Sequence, residues 1–403
     1  MDKKEKLVPK LRFKEFEESW TRDKLGNRVT ISSGISPSLY ELKQVGKIPF
    51  FKVDELNNSS KYQLESRFYA EHGKNMVSHG SIIFPKRGAA ILNNKVRITA
   101  VDSFMDSNLM ALKVESGNSN EFIYYFLLKE QLFRIADTST IPQINNKHIE
   151  PYLIKVPTLP EQQKIADFLS AIDQKIQQLQ RKKELLVRYK KGMMQKLFSQ
   201  EIRFKPDPTE ASGDEQGNDF PEWQWLGGNE LFDNISNKDH NSDLPILAIT
   251  QDQGAIPRDM IDYQMTVTEK SIASYKVVEV GDFVISLRTF QGGIEYSNYK
   301  GICSPAYIIL RPSSESVDRS FYKFYLKTEK YIRQLQRNLE GIRDGKMISF
   351  KYFSEINLPY PSLAEQQKIA NFLSTLDEKV AKVGQQIEQA QRFKKGLLQK
   401  MFV

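Results

Sequence analysis

At 403 residues the chain is longer than one ordinary core of about 100–200 residues organises, so two or three units are expected, and 40% hydrophobic content with 24 Phe and 17 Tyr excludes wholesale disorder. The single cysteine, Cys303, excludes an internal disulfide, and His72, His79, His148 and His240 lack zinc-ligand spacing; with a charged start and no apolar run near the ~18 residues of a membrane span, a cytoplasmic chain without metal or membrane contact is expected. The formal charge of +8, from 58 basic and 50 acidic residues, permits a polyanionic partner without requiring one.

In chain order, residues 1–157 are expected to form a first mixed α/β domain. Residues 81–84 and 96–101 are apolar, β-branched or aromatic runs that predict strands. Residues 122–135 carry aromatics and leucines at helical spacing, a pattern that points to core packing rather than a base-stacking platform. Residues 158–200 predict a long helix whose apolar seam advances by alternating steps of four and three: Ile165, Leu169, Ile172, Ile176, Leu179, Leu186, Met193 and Leu197, with Lys183 and Lys190 at its weak positions. Residues 201–219 predict a linker, because 205–217 combine Pro206, Pro208, Ser212, Gly213 and Gly217 with acidic residues and show no periodicity. Residues 220–361 form the second domain, with strands expected at 283–287 and 307–310 and a helix at 321–335. Residues 362–403 are a second long helix, with the seam Ile369, Leu373, Leu376, Val380, Val383, Ile387, Ala390, Leu397 and Met401, interrupted by Lys394.

The two halves repeat. Glu161-Gln162-Gln163-Lys164-Ile165-Ala166 recurs as Glu365-Gln366-Gln367-Lys368-Ile369-Ala370, and Lys190-Lys191-Gly192 as Lys394-Lys395-Gly396, both 204 residues on; 19 of 38 positions from Glu161 to Phe198 are identical without a gap. The globular segments repeat more loosely. Pro49 matches Pro245, Gly80-Ser81-Ile82-Ile83-Phe84 matches Gly281-Asp282-Phe283-Val284-Ile285, and Arg87 matches Arg288, with length changes that belong in loops. The expected fold is α+β: two similar mixed α/β domains separated by two long helices. A two-in-seven stripe this narrow favours a coiled coil over a helix covering its own domain. Duplication within one chain favours intramolecular pairing, and an approximate two-fold relation makes the pair antiparallel.

No phosphate-binding glycine loop, nucleophile elbow, HExxH, CxxC or paired carboxylate is present, so no catalytic, cofactor or metal residue is assigned. An amino-group methyltransferase tetrapeptide is also absent, Leu358-Pro359-Tyr360-Pro361 being no match. Candidate DNA-binding residues follow the glycine-led strands: Lys86, Arg87, Asn93, Asn94 and Lys95 in the first half, Arg288, Thr289 and Gln291 in the second. A second cluster precedes each long helix, Gln143, Asn145, Asn146 and Lys147, then Arg343, Asp344 and Lys346. Arg and Lys suit guanine and phosphate, Asn and Gln suit adenine, and each cluster alone would pass for ordinary surface; recurrence at equivalent places singles them out.

The two motifs Pro157-Thr158-Leu159-Pro160-Glu161-Gln162-Gln163-Lys164-Ile165-Ala166 and Pro361-Ser362-Leu363-Ala364-Glu365-Gln366-Gln367-Lys368-Ile369-Ala370 each precede a long helix ending in Lys-Lys-Gly. With the domain openings Phe16 and Trp20 and Phe220-Pro221-Glu222-Trp223, the whole chain resembles the specificity subunits of type I restriction-modification enzymes. The resemblance implies two target-recognition domains, each reading half of a split sequence in double-stranded DNA, and a helix pair that sets the gap. It implies a non-catalytic subunit: methylation with S-adenosylmethionine would belong to two modification subunits, and ATP- and Mg-dependent translocation and cleavage to a restriction subunit. Lys175, Lys182 and Arg188 become expected docking positions for the modification subunits. The rivals are a coiled-coil scaffold whose domains bind proteins rather than DNA, and an enzyme with a degenerate nuclease site.

Overall fold

Leu109–Val114, whose first four residues are apolar and buried and which holds no strong breaker, needs backbone partners on both edges. It pairs antiparallel with Val29–Ser33 on one side and Ile82–Pro85 on the other. The computed structural model in which these pairings occur describes residues 7–206, 219–241, 243–261, 272–287, 289–337 and 348–403. It divides into two units, one of Met1–Gln180 with Gln385–Val403, the other of Arg181–Gly384.

In the first unit the sheet continues from Ile82–Pro85 to Arg97–Thr99 and, in parallel, to Tyr62–Gln63. A smaller sheet joins Tyr69–Ala70, Ile48–Phe51 and Phe104–Met105. Thr21–Lys24 and Leu153–Val156 close the domain as an antiparallel pair just before the long helix. The run expected at 96–101 yields a strand only at Arg97–Thr99. Its neighbour Val96 lies in a turn, its N–H bonded to Asn94 O at 3.0 Å.

The second unit repeats the scheme with a four-stranded main sheet in place of the five-stranded one among the described residues. Phe232–Ile235, Ile308–Pro312, Phe283–Ile285 and Glu295–Tyr296 form one sheet. Gln224–Gly227 and Asn357–Tyr360 close the domain antiparallel ahead of the second long helix. Of the expected linker 201–219, residues 207–218 lie outside the described residues, while Arg203 and Phe204 are ordered against the second domain.

The aromatic helices sit in the cores as expected. In the first unit Phe122, Tyr125 and Leu127 of the helix Asn120–Glu130 are fully buried, and in the second Phe321, Tyr322 and Tyr325 of Arg319–Tyr325 are. Ser119 and Asp318 cap them, each side chain accepting the N–H of the phenylalanine three residues on. The single helix expected over 122–135 is broken, because Gln131 has φ +65° and a second short helix, Leu132–Ile135, follows. Asn94 supplies what the break removes: its Nδ2 donates to Leu128 O at 3.1 Å and its Oδ1 accepts from Leu132 N at 2.9 Å.

The long helices span Leu159–Phe198 and Leu363–Met401, each about 60 Å at 1.5 Å per residue. Within the first unit Ile165 and Leu169 share a core with Leu397, Met401 and Phe402, and Lys394 Nζ lies 2.6 Å from Asp173 Oδ1. Within the second, Ile369, Leu373 and Leu376 share a core with Leu197 and Phe198, and Lys190 Nζ lies 2.5 Å from Asp377 Oδ1. In each unit the start of one helix meets the end of the other, so the pairing is antiparallel. Seam residues Ile176, Leu179 and Val383 are buried, while Ile172, Val380 and Ile387 are half-buried. Two of the lysines that interrupt the seam, Lys394 and Lys190, are satisfied by equivalent aspartates one helix across, and each lies over an aromatic ring, Lys394 over Tyr125 and Lys190 over Phe324.

The repeated motif at the helix starts is a structural clamp. Glu161, 1% exposed, accepts from Arg12 Nε at 2.8 Å, from its second nitrogen at 2.7 Å and from Trp20 Nε1 at 3.2 Å. Glu365 accepts from Arg203 at 3.1 and 2.8 Å and from Trp223 Nε1 at 2.9 Å. The bond to the carboxylate raises each arginine's pKa above its ordinary value. The next residue ties the helix to its domain. Gln162 Oε1 accepts from Ser119 N at 2.9 Å and Gln366 Oε1 from Asp318 N at 2.8 Å, while their amide nitrogens donate to Pro157 O and Pro361 O. The most recognisable part of the sequence thus joins each domain to its helix.

Candidate nucleic-acid interface

In the first unit the strand Ile82–Pro85 hands the chain to Lys86 and Arg87, and the residues before the long helix run alongside. Ile144 N donates to Lys86 O at 2.9 Å and Gly88 N to Pro142 O at 2.8 Å, Gly88 having φ +77°. The two clusters predicted separately, Lys86-Arg87 and Gln143–Lys147, therefore meet on one edge of the domain. Arg87 is exposed and faces Gln143 in a β-bridge. Asn146 and Lys147 are exposed and border a cleft with Lys24, Asn27 and Glu150. Lys86 is drawn inward: its Nζ donates to Ser33 Oγ at 2.9 Å, and burial, with Arg87 beside it, holds its pKa below the usual lysine range.

The other candidates divide. Asn93 is exposed, whereas Asn94 bridges the helix break and Lys95 bonds the side chain of Asn57. Asn145 opens the short helix Asn146–Ile149, its N–H donating to His148 Nδ1 at 3.1 Å. Arg87, Asn93, Gln143, Asn146 and Lys147 make no side-chain hydrogen bond among the described residues, which leaves them available to a ligand.

In the second unit Arg288, Arg343, Asp344 and Lys346 lie outside the described residues. Thr289 is 1% exposed and its hydroxyl accepts Ser286 N at 2.7 Å, a cap for the turn Thr289–Gly292. Gln291 is exposed and accepts from Gln251 Nε2 at 3.2 Å.

Sequence reading missed Lys24 and Asn27, which reach the edge because Gly26 N bonds Glu150 O across the domain. A Cβ at Gly26 would lie 2.8 Å from Glu150 Cα, a contact between distant segments that no local pattern announces. It also missed Gln251, at the tip of the hairpin Leu247–Thr250 and Gly254–Pro257. Two other cations are withdrawn from any ligand. Arg97 donates to Leu56 O and Val96 O, and Lys61, 4% exposed, donates to Ser170 Oγ at 2.7 Å, burial lowering its pKa. No helix among the described residues is long and apolar enough to cross a membrane.

The type I restriction modification DNA specificity domain matches residues 17–187 and again 227–392. A putative type I restriction enzyme MjaX specificity subunit of Methanocaldococcus jannaschii is 27% identical over 399 residues, covering 94% of this chain and 86% of that protein. The type I restriction enzyme MjaVIII specificity subunit of the same organism is 24% identical over 403 residues, with 94% and 91% covered. Among solved structures, the S subunit of a type I restriction-modification system from M. genitalium aligns with a TM-score of 0.57 at 18% identity, over 98% of this chain and 99% of that one, a likeness of fold.

Proposed function

Since the chain belongs to the family of type I restriction modification DNA specificity domains, which match it twice, we propose that it is the DNA-reading specificity subunit of such a system, each repeat reading one half of a split target. The observation that carries this reading is the repetition itself. Two domains of one design are clamped by the same Glu, Gln, Arg and Trp set to two helices that pair antiparallel. A repeated reader on a repeated rod suits a bipartite duplex site better than a single ligand.

On this reading, domains 1–157 and 220–361 read DNA, helices 158–200 and 362–403 fix the gap, and 201–219 connects the repeats. Catalysis resides elsewhere: two modification subunits bind S-adenosylmethionine, and a restriction subunit uses ATP and Mg, in the cytoplasm. The helices suit twofold docking because their exposed charges repeat. Lys175, Lys182 and Arg188 are exposed, as are Lys379 and Arg392 at the positions equivalent to the first and third. Arg188 pairs with Glu184 at 2.8 Å and Arg392 with Glu388 at 3.3 Å, so the two copies offer one partner the same pattern twice.

The test is genome-wide adenine methylation, mapped by long-read sequencing in the host and in a strain lacking this gene. One split motif with a fixed gap should lose methylation in the deletion strain. Unchanged methylation with the partner subunits expressed would overturn the reading in favour of a protein-binding scaffold.

A further inference from the structure

Gln251 and Gln291 come from separate segments, the tip of a hairpin and the turn Thr289–Gly292, yet they form one unit. Gln251 Nε2 donates to Gln291 Oε1 at 3.2 Å with both side chains exposed. Their backbones are held from beneath. Lys327 Nζ donates to Gln251 O at 3.2 Å and to Gly292 O at 3.0 Å, and it pairs with Glu295, which is 3% exposed. The hairpin tip is itself braced, Thr250 Oγ1 donating to Gly254 O at 2.9 Å and accepting from Gln253 N at 3.2 Å, with Gly254 at φ +78°. Gly292 lets the hairpin lie close, since a Cβ there would stand 3.0 Å from Gln251 Cγ. Exposed glutamines ordinarily sample many rotamers and lose that freedom on binding; here the cost is met before any ligand arrives.

The bond between the amides also fixes what the pair can offer. One carbonyl is occupied by its neighbour. The pair is left with one wholly free carbonyl flanked by N–H donors, whichever of the two amides donates. Adenine presents the complement in the major groove, a donor at N6 beside an acceptor at N7. The turn bearing Gln291 follows the glycine-led strand Phe283–Ile285, as Lys86 and Arg87 follow Ile82–Pro85 in the first repeat.

From this geometry, and resting on the DNA-reading function proposed above, we propose that Gln251 and Gln291 act together as a base-reading element of the second domain and specify an adenine in its half-site. The recognition is of a base edge, because the free carbonyl needs a donor beside an acceptor, whereas phosphate oxygens only accept.

The experiment is methylation mapping in strains whose full-length chain carries Gln251→Ala, Gln291→Ala or both, with subunit abundance measured alongside. The expected result is a motif relaxed at one adenine of one half-site, by about tenfold or more in preference, with the other half-site and the gap unchanged. The double variant should relax the motif no further than the stronger single variant, since the pair reads as a unit. Where the double variant fails to accumulate, Gln251→Glu keeps the bulk and removes the donor, and should relax the same adenine. An unchanged motif, or methylation lowered evenly at every site, would overturn this assignment while leaving the split-target function standing. A wild-type strain with no split motif would overturn both.

Discussion

Glu365 is fully buried, and a carboxylate taken out of water is tolerated only when its lone pairs are filled. Arg203 and the Trp223 indole fill them, as Arg12 and Trp20 do for Glu161. Glu365→Ala removes an acceptor from the buried Trp223 indole and the counter-charge of the half-buried Arg203, which keeps Phe220 O and Pro221 O, and should destabilise the protein by about 2 kcal/mol in denaturant unfolding. Glu365→Gln, which keeps one acceptor for the indole, should cost less, and equal losses for the two variants would show that the charge contributes nothing. Gly281 poses a different constraint: its φ is +93° and an added Cβ would lie 2.4 Å from an Arg319 nitrogen. Gly281→Ala should therefore cost about 2 kcal/mol, and an unchanged unfolding midpoint would show that neither the backbone conformation nor the Arg319 contact resists a side chain there. Much of this scale was illegible in the sequence. Asn93 and Asn94 are the same residue type one position apart, yet one is exposed and the other closes a helix break. Thr289 and Gln291 part in the same way, because what decides is the backbone group within reach. Arg12 and Arg203 escaped the repeat comparison altogether, since Arg203 stands farther from its tryptophan across a segment with no counterpart in the first copy.

The elements were more legible where periodicity and burial agree. The long helices follow from a seam whose repeat matches a helical face, and their antiparallel sense is carried by two equivalent Asp–Lys pairs. Strands were legible as apolar runs, but their ends were not, because Val96 belongs to a turn set by Asn94. One feature of the helices has no cause among the described residues. Gly192 and Gly396 occupy the same position in both copies, inside helices, with nothing within 4 Å of an added Cβ. Glycine in a helix interior costs about 1 kcal/mol against alanine through backbone entropy. Gly192→Ala and Gly396→Ala should each raise the stability of the isolated subunit by up to about 1 kcal/mol, read as a higher urea midpoint with an unchanged slope. A lower midpoint would mean that the helices need the bend or close approach that glycine permits.

At the scale of the molecule, the two units share both long helices, the first unit taking the start of one and the end of the other, the second unit the reverse. The boundary falls at Gln180–Arg181 in the first helix and Gly384–Gln385 in the second, close to equivalent positions of the repeat. Asp173 with Lys394 and Lys190 with Asp377 stand in the same register, so lengthening both helices equally at the middle keeps each unit's own helix contacts intact. Lengthening only one would shift that register and strand the aspartates. An insertion of one heptad (~7 residues, two helical turns) between Arg181 and Lys182 and another between Gln385 and Gln386 preserves the phase of the seam. Each adds about 10 Å of helix, and along B-DNA that is the rise of about three base pairs. If the helices set the gap, the double insertion should leave both half-sites of the methylated motif unchanged and lengthen the unspecified gap between them, by up to about three base pairs. Either single insertion should abolish methylation or lower the amount of folded subunit. A double insertion that methylates the original motif with its original gap would show that the spacing is set by the domains or by the partner subunits rather than by the helices.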